Sequence, residues 1–166
     1  SWLVGLRLPS FYKLGSVSFS AMAFAGRNQY SSDSQVITNT TSTGRDTYAS
    51  SFGSTQLLFG LGAHYATPLN KTTDLSVKAE LYLSQEYLEA YQEGPYFSWN
   101  SRTLTQGSAF LEAGIDHQLN DQWLLQAKLG ANTQTLFSGS TTNYSINNTP
   151  VSFSGGQTSD TGLYAM

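Results

Sequence analysis

Two histidines, His64 and His117, are by type the residues of this chain best suited to acid–base or metal chemistry. An imidazole titrates near neutral pH and also ligates metals, so its neighbours decide which use is open to it. His117 directly follows Asp116, and His64 lies in "LGAHYATPLN". Neither has a second His, Cys or acid at a metal-ligand spacing. A nucleophile–base–acid set must converge in one place. The acids Asp46, Glu89, Glu93 and Asp160, however, fall near the opposite strand ends from both histidines. "GQTSDTG" has glycines without the spacing of a phosphate loop. The absence of cysteine removes disulfides and thiolate sites. The expectation is a protein that is not an enzyme, with no catalytic residue, cofactor or metal. Matches to Asn-x-Ser/Thr at Asn39, Asn70, Asn143 and Asn147 are what chance gives in a chain this rich in those residues.

The polar residues must be positioned by strands. In "DLSVKAELYLSQEY" (74–87), Leu75, Val77, Ala79, Leu81 and Leu83 share one face, and Ser76, Lys78, Glu80, Tyr82 and Ser84 share the other. Period 2 of this kind is a strand with one apolar and one polar side. The pattern recurs over Leu57–Tyr65, Ala109–Ile115 and Trp123–Leu129. It predicts strands at about 1–11, 14–27, 47–67, 73–91, 103–119, 122–137 and 160–166. In the second, Val17 and Phe19 take one face and Met22 and Phe24 the other, which calls for a bulge or a mixed polar face.

No helical period competes, so the fold class is all-β. Short connections after strands one, three and five make the neighbours antiparallel, a meander. Residues 62–81 and 114–129 also form a weak repeat. Each runs from glycine through an aromatic or His to a Leu-Asn turn, then apolar alternation with Lys on the polar face.

Charged residues are only 11% of the 166, against the quarter or so usual in soluble domains. With a net charge of −3 and no Lys/Arg cluster, a nucleic-acid partner is not expected. No uncharged apolar run reaches the length of a membrane helix. The chain opens Ser-Trp-Leu-Val, as expected of a processed chain or a segment of a longer one.

The remaining connections, roughly 28–46, 92–102 and 138–159, are long and polar. Short turns therefore gather at one end of the meander and long loops at the other, the asymmetry of outer-membrane barrels. The apolar face is nearly free of charge over the nine or ten residues that a tilted membrane strand needs. Aromatics collect at the strand ends. Trp2, Tyr12, Tyr65, Tyr87, Trp123 and Phe137 are the expected girdle at the two membrane interfaces, with Tyr30 and Tyr48 near its upper band. The polar face then becomes a lumen. Arg7, Lys78 and Lys128 are expected to neutralise Glu80, Glu112 and Asp116 there, and glycines on that face to make room for large side chains opposite.

"SAFLEAGIDHQLNDQWLLQAKLGAN" resembles the closing hairpins of an autotransporter β-domain, where a glycine-bearing strand enters a Leu-Asn-type turn and leaves through Trp and an alternating strand. The chain is also similar to small eight-stranded barrels of the outer-membrane protein A kind. The resemblance implies an antiparallel transmembrane β-barrel of about seven or eight strands, with residues 1–166 as one domain or a segment of a larger barrel. It implies a bacterial outer-membrane location and contact with lipid, lipopolysaccharide, and possible further barrel strands or subunits. The implied task is that of a membrane anchor, translocator or structural surface protein. Alternatives are a passive porin segment and a soluble β-barrel or sandwich that binds a ligand. Two departures stand out: the parity leaves an outward strand missing before Ser1, and "GLYAM" lacks the terminal aromatic of the resembled families.

Overall fold

The computed structural model describes residues 1–37, 44–155 and 159–165. Every regular element among them is a strand. Seven form one antiparallel sheet in the order β1 (Trp2–Leu14), β2 (Val17–Ile37), β3 (Arg45–Asn70), β4 (Thr73–Leu88), β7 (Arg102–Asn120), β8 (Trp123–Ser138) and β11 (Ser159–Ala165). The other four, β5 (Tyr91–Glu93), β6 (Phe97–Trp99), β9 (Thr141–Ile146) and β10 (Thr149–Ser154), make a second, small sheet.

The three short connections are two-residue hairpin turns, at 15–16, 71–72 and 121–122. Local chemistry explains them. Gly15 supplies a backbone at φ +60°, which side-chain-bearing residues rarely adopt. In the other two, an asparagine side chain closes the turn. Asn70 Oδ1 accepts from the Thr72 amide at 2.9 Å, and Asn120 Oδ1 from the amides of Gln122 and Trp123 at 2.9 and 3.0 Å. Each is preceded by the same register shift, between Pro68 and Asn70 and between Gln118 and Asn120. The Leu-Asn repeat in the sequence is thus a repeated hairpin that bulges at Leu69 and at Leu119.

Along the second strand, β2 pairs with β3 in one unbroken register from Val17 to Ile37. Met22 and Phe24 therefore lie on a mixed polar face, and the bulge sits in β1 instead, between Leu8 and Tyr12. Three expected features need correction. Strand β2 runs to Ile37, well beyond its predicted end at 27, and pairs with the start of β3, so most of the 28–46 connection is a hairpin arm. Long stretches of the other two loops are the strands of the small sheet.

Among the described residues no pairing joins β1 to β11, so the sheet is open and not a closed barrel. The reason lies in the count. The first and last of seven alternating strands run in the same direction, so antiparallel pairing cannot join them.

No apolar side chain is buried among the described residues; the buried ones are Ser50, Ser54 and Glu80. Leu61, Leu81 and Leu129 stand more than 60% exposed on strands of the sheet. Sequence alternation places them on one face with Phe59, Leu111 and Leu163, and among the described residues no charged one shares that face between the Trp2–Arg27–Thr55–Tyr87 row and the short turns. The apolar side has nothing covering it.

Candidate functional site: the polar face and its outer cap

The cross-strand register assembles the opposite face in rows. Lys78, Glu112, Gly130 and Tyr164 are successive partners on β4, β7, β8 and β11. Gly130 carries no side chain, so the Tyr164 ring lies across it, where an added Cβ would collide with the ring. Its hydroxyl reaches past β8 and donates to Glu112 at 2.7 Å, while the ring stacks on Phe110 with centroids 5.6 Å apart. A contact that passes over an intervening strand requires close approach of side chains along that row. Lys128 Nζ is 3.5 Å from Glu112, and Lys78 Nζ is 3.0 Å from Glu80 and 5.6 Å from the centre of the Phe110 ring.

Of the six charges expected to form a lumen network, four are brought together in these two ion pairs. The other two find different surroundings. Asp116 accepts from Gln126 Nε2 at 3.1 Å. Arg7 lies in the row of Met22, Gly60 and Tyr82, outside the ion pairs described. A cavity of about 520 Å³ opens toward the short turns, lined by His64, Asp74, Lys78, Glu112, Asp116 and Lys128.

Glu80 is almost fully buried, so removing its cation leaves a carboxylate poorly solvated. Lys78→Ala is expected to cost about 1–2 kcal/mol, discounted because Lys78 itself is partly exposed. Lys71→Ala, in a turn, should be neutral within about 0.5 kcal/mol. Denaturant titration of both variants in detergent checks the difference, and equal midpoints would rule out a supporting role for the pair.

Alternation separates the residues that looked most chemical. His64 has polar-face parity and pairs in register with Lys78, whereas His117 pairs with Leu125 and shares the apolar face of Ile115. Asp116 and His117 are neighbours in a strand, so their side chains point to opposite sides and cannot act as a dyad. His117 Nδ1 is instead 2.8 Å from Thr73 Oγ1 beside the turn. Among the described residues no group of His, Asp or Glu could hold a metal ion.

At the far end from the short turns, the small sheet sits over the polar face. The deciding contacts all involve residues of even number, the polar-face parity in β2, β3 and β7. Five rings form a ladder from one sheet into the other. Tyr30 stacks on Phe52 (centroids 5.1 Å apart), Phe52 on Tyr91 (4.3 Å), Tyr91 on Trp99 (5.8 Å) and Trp99 on Tyr144 (4.8 Å). Beside it Tyr48 meets Tyr96 edge-on, 6.4 Å between centroids. Glu93 accepts from Trp99 Nε1 at 3.1 Å and from the Ser34 hydroxyl, and Arg102 donates to Thr142. Burial, with Glu93 nearby, raises the Tyr91 hydroxyl above the ordinary tyrosine range, while Arg102 opposes the shift.

This corrects the placement of Tyr30 and Tyr48. Both are main-sheet residues on the polar side, Tyr48 in contact with the cap and Tyr30 joined to it through Phe52, and not part of an apolar-face girdle. The six residues Trp2, Tyr12, Tyr65, Tyr87, Trp123 and Phe137 are all exposed. Register and alternation put them on the apolar face. Trp2 and Tyr87 share one cross-strand row, Trp2–Arg27–Thr55–Tyr87, near the long connections. Tyr12, Tyr65 and Trp123 lie near the short turns. Arg27 and Glu89 pair at 2.7 Å at the upper edge of that side. Of the Asn-x-Ser/Thr matches, Asn70 ends β3 beside a turn, Asn147 is a turn residue, Asn143 pairs within the small sheet, and Asn39 lies outside the described residues.

The sequence matches no protein-family profile and no curated protein.

Proposed function

We propose that the chain forms the wall of a bacterial outer-membrane β-barrel, or a segment of one, and serves as a membrane anchor or translocator with a side-chain-filled interior. The observation that carries this is the uncovered apolar face, free of charge between its two aromatic bands. A soluble sandwich or ligand-binding barrel would bury that face against a second layer. Lipid is the medium in which it has a partner. The paired charges and ring-over-glycine contacts of the other face suit a packed interior. In a bilayer neither β1 nor β11 can keep an open edge, because unpaired amides and carbonyls have no water there. On this reading both edges are met by further strands, of the same chain or of another copy.

Brominated lipids test the location directly. Trp2 and Trp123 fluorescence should be quenched in reconstituted vesicles, while Trp99, in the cap, keeps its intensity. A chain that stays monomeric without detergent, with all three tryptophans unquenched, would refute the membrane reading. The polar cavity near the short turns favours one competing reading, a water-filled porin segment. Single-channel recording separates the two, since a packed interior passes little current and steady large openings would replace it with the porin.

A further inference from the structure

We propose that the small sheet is a hinged lid, latched by the aromatic ladder, which lifts as one body to open the outer end of the polar face. The outer side is taken from the membrane reading above; the latch itself stands on the contacts alone. Three features of the structure carry it.

First, β10, β9, β6 and β5 are joined to one another by their own backbone ladder and form no ladder with the main sheet. A four-stranded unit with its pairing internal can move without breaking it. Asn147 donates its amide to the Tyr96 carbonyl (2.9 Å), and just past β6 Asn100 donates to the Asn143 carbonyl (3.0 Å), so the two hairpins from separate parts of the chain hold together as one piece.

Second, three of the four crossings to the main sheet are short non-strand segments, 89–90, 100–101 and 139–140, and the fourth, after β10, lies largely outside the described residues. Gly139 sits at φ +91°, a conformation other residues rarely adopt. Such element-terminal positions are where hinge rotations are absorbed.

Third, apart from the Glu89 amide donating to the Gly53 carbonyl (2.9 Å) in the first link, what fastens the lid among the described residues is side chain on side chain. Phe52 is the joint of the ladder, a main-sheet ring stacked on Tyr30 of its own sheet and on Tyr91 of the lid. Ser34 with Glu93, Tyr48 with Tyr96 and Arg102 with Thr142 complete the latch. Stacked rings contribute modest individual energies, so the latch is of a strength that thermal opening or a ligand can overcome. Beneath it lies a cavity of about 350 Å³, lined by Tyr30, Phe52, Glu86, Leu88, Tyr91 and Arg102 among others. The cavity is partly open with the lid down, and lifting the lid widens it to the outer side.

The chain has no cysteine, so a single one reports cleanly. Leu88→Cys lines the cavity, and its labelling by a bulky, membrane-impermeant maleimide in detergent reads how often the lid opens. Adding Phe52→Ala, which removes two stacking contacts and leaves the lid's own sheet intact, should speed labelling about tenfold. Phe52→Trp should restore the slow rate. Lys71→Cys, in a turn, should label equally in every background. Equal Leu88→Cys rates with and without the Phe52 ring, in proteins of unchanged strand content, would overturn the lid. A fast rate already in the parent, matching Lys71→Cys, would overturn it too. Neither result depends on lipid quenching, so failure of the lid and failure of the membrane reading are told apart.

Discussion

Leu81→Arg is expected to lower the folding stability of the chain in lipid vesicles by about 2–4 kcal/mol. Leu81 stands 62% exposed at the middle of β4, on the uncovered apolar side. In water, an arginine at so open a position would change stability by no more than about 0.5 kcal/mol and would help solubility. In hydrocarbon the guanidinium has no polar partner within reach, because Leu61, Ala79, Leu83 and Ala109 surround it in register and sequence. Leu69→Arg, equally exposed but at a short turn, should cost about 0–1 kcal/mol, since an interfacial arginine keeps its head in water. Reversible urea unfolding from vesicles measures both. The contrast between the two sites is the signature of a depth-dependent medium, and equal small effects would place the face in water.

The second large effect is expected on the opposite side of the wall. Gly60 lies between Met22 on β2 and Tyr82 on β4, its register partners. A Cβ there would stand 2.8 Å from Met22 Cγ and 2.8 Å from the Tyr82 ring, closer than real contacts allow. The pressure comes from both neighbours in a central strand, so neither can retreat into open space without disturbing its own row. Gly60→Val should therefore destabilise by about 1–3 kcal/mol. Tyr82→Ala removes one of the two obstacles, and the double variant should recover a good part of the loss. The coupling energy from that cycle, read by denaturant unfolding, reports whether the ring does lie over the glycine. Additive losses would show that it does not.

These two sites also mark where the sequence is readable. Period 2 is local, so each main strand could be found from its own residues, and the face of Lys78 or Leu81 follows from counting by twos. The pairing of rows does not follow from counting. Glu112 meets Lys128 and Tyr164 because of the β7–β8 register set by the bulge at Leu119, the β8–β11 pairing, and a glycine at 130 that only the folded sheet places between Glu112 and Tyr164. The apparent balance of three cations against three acids ignored distance along the strands, and so it included Arg7 and Asp116, which the rows keep apart from the pairs.

The cap was hidden for a different reason. Polar, Ser/Thr-rich stretches with short alternations look like loops, and β5 and β6 have three residues each. Yet one signal was present. "SINNT" carries an Asn-Asn pair flanked by Tyr144 and Ile146 on one side and Val151 and Phe153 on the other, the mark of a tight hairpin. Asn147 and Asn148 do take positive φ, 49° and 64°, between β9 and β10. Tyr30 lies beyond the predicted end of the second strand at 27, and Tyr48 at the edge of the third, so nearness to a long connection and not parity placed them in the girdle.

The twin Leu-Asn hairpins have a consequence for how the sheet comes into being. Each main-sheet pair joined by a two-residue turn closes the smallest loop a chain can make, so three of the six main-sheet interfaces form with little entropic cost of closure. The Asn70 and Asn120 side chains favour the reversal before any distant contact exists. Contact order is thereby kept low for an all-β chain, and assembly can proceed as the docking of three preformed hairpins. The slow events are then the three remaining pairings, two between hairpins and one that adds β11. Two of those three, β4 with β7 and β8 with β11, are bridged by the segments that build the small sheet.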